Sequence, residues 1–142
     1  MHIVRITCLS FSLILFPWGL PDIVFAQYSS VIALGQQEFR SYCATCHGPE
    51  AKGDGPSASL LTIKPRDLTQ LSKHNEGTFP FARTYEQIDG SSKTVVLGHG
   101  TTDMPIWGDV FRRKQGTAEQ WLLGTSGRIV SIVHYLQSIQ EE

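Results

Sequence analysis

Apolar positions recur at helical spacing in three stretches of the chain, and nowhere do they alternate as in a strand. Val31, Leu34, Phe39 and Tyr42, with Gly35 on the same side, predict an amphipathic helix over residues 31–44. Phe81, Tyr85 and Ile88 predict a second, with Pro80 suited to its first turn and Gly90 to its end. The clearest stripe is Ile129, Ile132, Val133, Leu136 and Ile139, which predicts a helix over residues 128–140 following Gly127. Short helices are expected at Val110 and Phe111 and over residues 118–123. Asp67 and Thr69 are placed to cap another over residues 68–72.

Between these elements lie two long segments rich in turn-forming residues. Residues 48–65 run Gly-Pro-Glu-Ala-Lys-Gly-Asp-Gly-Pro into a short apolar piece (Leu60, Leu61, Ile63) and then Lys64-Pro65, and residues 91–108 form a second loop. The pattern predicts an all-α domain whose helices are separated by Gly/Pro loops. Loops of this length bury too little apolar surface to offset the cost of ordering them, so something other than side chains is expected to fill part of the core.

The 142 residues bound a single small domain. With 12 basic against 13 acidic residues and a net charge of −1, the chain lacks the electropositive footprint of a nucleic-acid-binding protein. Charged residues are 18% of the chain, with 13 Gly and 7 Pro, which excludes a coiled coil and a charge-rich disordered tail.

Residues 1–26 resemble an export signal: Arg5 precedes the apolar run from Ile6 to Leu15, and the segment ends in Val24-Phe25-Ala26. Pro17, Gly19, Pro21 and Asp22 interrupt the run short of the ~20 residues of a spanning helix. Cleavage after Ala26 leaves residues 27–142 without a stable membrane span, in a periplasm or other extracytoplasmic space. One basic and one acidic residue leave with the signal, so the net charge stays −1. Cys8 leaves too, and the odd cysteine count resolves into Cys43 and Cys46.

Those two cysteines stand in Cys43-Ala44-Thr45-Cys46-His47. On the end of a helix this spacing puts two thiols and an imidazole within about one turn, which suits covalent attachment of one haem c: each thiol adds to a vinyl group as a thioether and His47 binds the iron. A thioredoxin-like pair would want a preceding strand in a βαβ setting. A structural zinc site would have to recruit a fourth ligand from His74, His99 and His134. A disulfide across two intervening residues would stabilise little. For the second axial position, Met104 is the only methionine of residues 27–142, in Thr102-Asp103-Met104-Pro105-Ile106-Trp107-Gly108. Thioether ligation raises the reduction potential relative to two imidazoles, and His99 is the rival ligand. His74 and His134 read as surface or packing residues, and Phe39, Tyr85, Trp107 and Trp121 as core and haem-pocket packing.

Taken together, residues 31–141 resemble a class I cytochrome c of the bacterial monohaem type. Gly35, Phe39 and Cys43, four residues apart, are similar to that family's first helix, where the glycine lets the last helix cross closely, and 132–136 resembles the last helix. The resemblance implies haem attachment through Cys43 and Cys46, ligation by His47 and Met104, and a proline carbonyl that orients the proximal histidine. Pro65 is the candidate for that carbonyl and Pro56 the runner-up. It also implies that Leu68 packs on the haem, with Trp107 in the distal loop. Arg66, Arg83 and Tyr85 are within the range of residues that reach a propionate. The implied function is single-electron transfer without catalysis, between redox partners such as a dehydrogenase, a cytochrome complex or a terminal oxidase. The alternatives are a dedicated subunit of a dehydrogenase and a haem sensor with an exchangeable sixth ligand. Residues 116–127 are longer than a minimal member needs, and read as a packed helix or a partner contact.

Overall fold

A computed structural model describes residues 21–92, 104–113 and 118–141, with 21–26 and 118–123 described as backbone only. Among the described residues five α-helices follow one another: α1 (Pro21–Tyr42), α2 (Ala44–His47), α3 (Phe81–Asp89), α4 (Trp107–Arg112) and α5 (Ala118–Ser138). Three single-turn 3₁₀ segments, Ala58–Leu60, Leu68–Gln70 and Lys73–Asn75, punctuate the long connection between α2 and α3. No strand occurs among the described residues, and the fold is all-α.

The face that α1 buries is not quite the one its apolar residues outline. Ile32, Gly35, Phe39 and Tyr42 pack inward, while Leu34 is 46% exposed. A helix turns 100° per residue, so Leu34 stands well off a stripe centred on Gly35 and Phe39. The helix also begins ten residues before position 31, and its described side-chain contacts begin at Tyr28.

The stripe on α5 behaves as expected. Ile129, Ile132, Val133 and Leu136 are fully buried and Ile139 packs at the edge. Residues 118–123 do not form a separate helix before Gly127. They are the first turns of α5, and Gly127 sits inside that helix on its exposed face, where nothing approaches within 4 Å. A solvent-facing glycine weakens a helix without ending it, because the backbone hydrogen bonds continue through it. Residues 114–117 lie outside the described part of the chain, as does the Trp121 side chain, so the expectation for 116–127 is met by the backbone of 118–123 and by residues 124–127, of which Thr125 is buried.

The crossing of α1 and α5 is the largest contact in the fold. It is close because position 35 has no side chain: a Cβ there would fall 1.9 Å from the Ser131 carbonyl oxygen and 2.9 Å from the Tyr135 Cβ. Phe39 then meets Tyr135 at 5.4 Å between ring centroids, and these two with Ile132 and Leu136 form the centre of the core. Helix α3 starts after Pro80 and ends at Gly90, as its punctuation predicts. Helix α4 begins at Trp107, ahead of the expected Val110.

A Candidate haem-binding cleft

Tyr42 ends α1, Cys43 forms a turn, and α2 carries Ala44 to His47. The Cys43 carbonyl accepts from the amides of both Cys46 (3.1 Å) and His47 (2.9 Å), so the motif is wound as a single turn on the end of a helix, as its spacing requires. The glycine-rich loop that follows folds back over it. Gly53 donates to the His47 carbonyl (2.8 Å), Gly55 to Cys46 (3.1 Å) and Ser57 to Thr45 (2.9 Å), satisfying carbonyls that a helix end leaves open. Gly53 has φ +78°, and a Cβ on it would meet the Pro65 carbonyl oxygen at 2.3 Å. Only glycine combines that conformation with that approach. The loop composition is thus a packing requirement of the motif.

Beside this turn opens a cleft of about 140 Å³, partly open to solvent. Cys43 and His47 line one part of it and Met104 also faces it; Phe39, Leu68 and Ile132 contribute apolar wall. His47 is buried, at 8% exposure. Cys46 does not line the cleft but occupies the same turn of backbone as Cys43. Arg66, His74 and Arg83 contribute its basic groups.

The remaining expected site residues are placed as follows. Leu68 is buried in the wall, on the 3₁₀ turn that Asp67 caps by accepting from the Thr69 amide at 2.9 Å. The Leu68 amide is held by the Ala51 carbonyl at 2.8 Å. Pro65 is half-buried with its carbonyl against Gly53, and Pro56 is exposed. Trp107 does not line the cleft; it stacks edge-on to Tyr42 at 5.6 Å and packs on Phe111. His134 lies between the rings of Tyr28 and Phe81, away from the cleft. Tyr85 donates to the Ser126 hydroxyl at 3.3 Å. His99 lies outside the described residues.

Cys43 and Cys46 are not joined in a disulfide. Burial, reinforced by the charges of Glu38 and Cys46, pushes the Cys43 thiol up to about 12. A thiol–disulfide catalyst needs the opposite shift, toward a thiolate at neutral pH. Among the described residues no group of three or more His, Cys, Asp or Glu side chains gathers as a zinc site demands. The residues present instead fit a flat apolar group: two cysteines on one turn, a buried histidine beside them, and a methionine facing the same apolar space.

Several contacts that hold this site had no sequence signal. Gln140 donates to the Leu68 carbonyl (2.8 Å) and accepts from the Ser72 amide (2.8 Å), while Glu141 pairs with Lys52 at 2.7 Å and accepts from Gln70 at 2.6 Å. Gln140 and Glu141 thereby strap two parts of the connection between α2 and α3, at Lys52 and over residues 68–72, the latter carrying Leu68 and Leu71 of the cleft wall. Arg128 of α5 bonds Glu38 of α1. Such partners are about 70–90 positions apart, and no local pattern pairs them.

An all-α domain with a Cys-x-x-Cys-His turn opening into an apolar cleft defines the class of c-type cytochromes. Residues 30–115 match the family model described as cytochrome c oxidase, cbb3-type, subunit III, and the chain belongs to that family of class I c-type cytochrome domains. No curated protein and no solved structure matches it. The protein therefore carries covalently bound haem c and is an electron-transfer protein rather than an enzyme. Cytochrome c domains are typically extracytoplasmic, and no helix among the described residues is long and apolar enough to cross a membrane. The matched region stops before α5, the helix that closes the core.

Proposed function

We propose that residues 1–26 are removed on export and that residues 27–142 act as a periplasmic or otherwise extracytoplasmic single-electron carrier. Cys43 and Cys46 would hold the haem as thioethers, and His47 and Met104 would bind its iron. The convergence of Cys43, His47 and Met104 on one apolar cleft carries this reading. When bound, the haem supplies a one-electron iron couple whose potential the protein sets.

The chain's own residues tune and position. Phe39, Leu68 and Ile132 give the cleft an apolar wall, which would disfavour the more highly charged oxidised state of a bound haem and raise its potential; a sulfur ligand would act in the same direction. Pro65, whose carbonyl packs against Gly53, is the residue we assign to orient the His47 imidazole once haem is bound. Arg66 and Arg83 offset the charge of the haem propionates. Trp107 serves the site through its packing on Tyr42, next to the attachment cysteine.

A second reading places the same domain as the electron-carrying subunit of an oxidase complex, favoured by the description of the matching family. Isolation from native membranes distinguishes the two, since a subunit co-purifies through a large interface and a shuttle does not.

A redox titration with absorption spectra tests the ligand assignment. The oxidised protein should show the weak near-infrared sulfur-to-iron band and exclude carbon monoxide at neutral pH. Met104→Ala should abolish the band, lower the potential and open the iron. A wild-type protein that lacks the band, binds carbon monoxide and is unchanged by Met104→Ala overturns it. Cys43→Ser with Cys46→Ser should leave no haem resistant to acid-acetone extraction.

A further inference from the structure

Met104 is followed after two residues by α4, and α4 is wedged between three other helices. On one side Ile106 sits where a Cβ at Gly90 would be, 2.3 Å from its methyl, and Gly108 lies equally close to the Asp89 backbone carbonyl, at 2.5 Å from the position of its missing Cβ. Arg112 pairs with Asp109 and lies 3.7 Å from Asp89. These contacts seat α4 on the end of α3. On the other side Trp107 and Phe111 meet the Tyr42 ring edge-on at 5.6 and 5.3 Å, joining the Met104 segment to the residue before Cys43.

A single guanidinium closes this second side. Arg128 of α5 lies 4.0 Å over the Phe111 ring and 5.1 Å from that of Tyr42, while its Nε and Nη2 donate to the Glu38 Oε2 at 2.9 and 2.6 Å. Its side chain and that of Glu38 are both about four-fifths buried. Burial works against the Arg128 charge, but hydrogen bonds to Glu38 and Tyr42 outweigh it, so the guanidinium stays fully charged. A planar cation can stack on an aromatic ring with its face and bond a carboxylate with its edge at once, which an ammonium group cannot.

We infer that Arg128 is a positioning residue for the distal ligand: through Phe111 and Tyr42 it fixes α4 against the attachment helix and so holds Met104 at the cleft. The inference rests on the proposed ligation by Met104. Without the guanidinium, Phe111 loses the plane that covers it and Glu38 keeps a buried, uncompensated charge beside Tyr42. The α4 seat then loosens on the side nearest the haem attachment, and the methionine has less to hold it there.

The test compares wild type with Arg128→Met and Arg128→Lys holoproteins. Arg128→Met should weaken the sulfur-to-iron bond roughly 10-fold, the lower end of what loss of a ligand-orienting contact costs. That reads as a fainter near-infrared band, a lower potential and carbon monoxide binding at neutral pH. Arg128→Lys, which keeps the charge but not the plane, should fall between the two. A purely structural role predicts something else: a lower unfolding midpoint with wild-type band and potential, and that result overturns the inference. If Arg128→Met yields no holoprotein, the Arg128→Lys spectrum decides by the same criterion. A wild-type protein without the sulfur band overturns both the ligation and this inference, whereas a wild-type band unaffected by the variants overturns the inference alone.

Discussion

Replacing Gly35 with alanine adds one methyl group at the tightest point of the α1–α5 crossing. Its carbon would stand 1.9 Å from the Ser131 carbonyl oxygen and 2.5 Å from the carbonyl carbon. Ordinary contact begins near 3.5 Å, so the helices must separate by roughly 1.5 Å. The obstructing atoms are backbone and cannot rotate away. Overpacking a core costs about 1–3 kcal/mol, and the upper end applies where a whole helix must move. Alanine recovers about 0.5–1 kcal/mol over glycine within a helix, leaving a net loss of about 2 kcal/mol. Guanidinium unfolding of the holoprotein reads this as a lower midpoint at unchanged slope. The internal control is Gly127→Ala: position 127 is exposed inside α5 with nothing within 4 Å, so the same substitution should stabilise by about 0.5–1 kcal/mol. Opposite signs from one chemical change are the prediction. A Gly35→Ala protein as stable as wild type would refute the close-crossing argument.

Gln140→Ala removes the partners of the Leu68 carbonyl and the Ser72 amide and should cost about 1–3 kcal/mol, seen as a lower unfolding midpoint and faster hydrogen exchange at the Ser72 amide; unchanged exchange there counts against the strap. Lys52→Ala is expected to do little despite the 2.7 Å pair with Glu141, because both side chains are 49% exposed and water screens them. The hydrogen bond that Lys52 donates to Glu141 raises the Lys52 pKa, so any stabilisation is complete below the ordinary lysine value and fades only as pH rises through the raised one. Stability profiles of Lys52→Ala and wild type across neutral pH should superimpose, and a lower midpoint for the variant would mean the strap depends on this pair.

Local pattern carries most of the helical framework because a helix is a local structure whose buried stripe repeats every 3.6 residues. The α5 stripe, the Pro80 and Gly90 punctuation of α3 and the Asp67 cap are therefore legible in the chain itself. The errors lie where locality ends. Leu34 has the character of a core residue, but which side of α1 is inside depends on where α5 crosses, and Gly35 sets that crossing. Gly127 has the character of a helix boundary, but continuous backbone bonding carries α5 through it.

The same division holds at the site. Cys43, Cys46 and His47 declare their chemistry by spacing alone, because a single turn gathers them and the backbone bonds to Cys43 complete it. Family membership and the haem follow from that turn and its setting. That Met104, 57 residues beyond His47, faces the same cleft is a matter of tertiary structure, as are the Gln140 strap and the joining of Glu38 to Arg128 across Tyr42 and Phe111. Contacts between distant segments leave no periodic trace, since their geometry exists only once the helices have packed. The Cys-x-x-Cys-His spacing is enough to say what the protein attaches; the packing of α1, α4 and α5 sets what surrounds it.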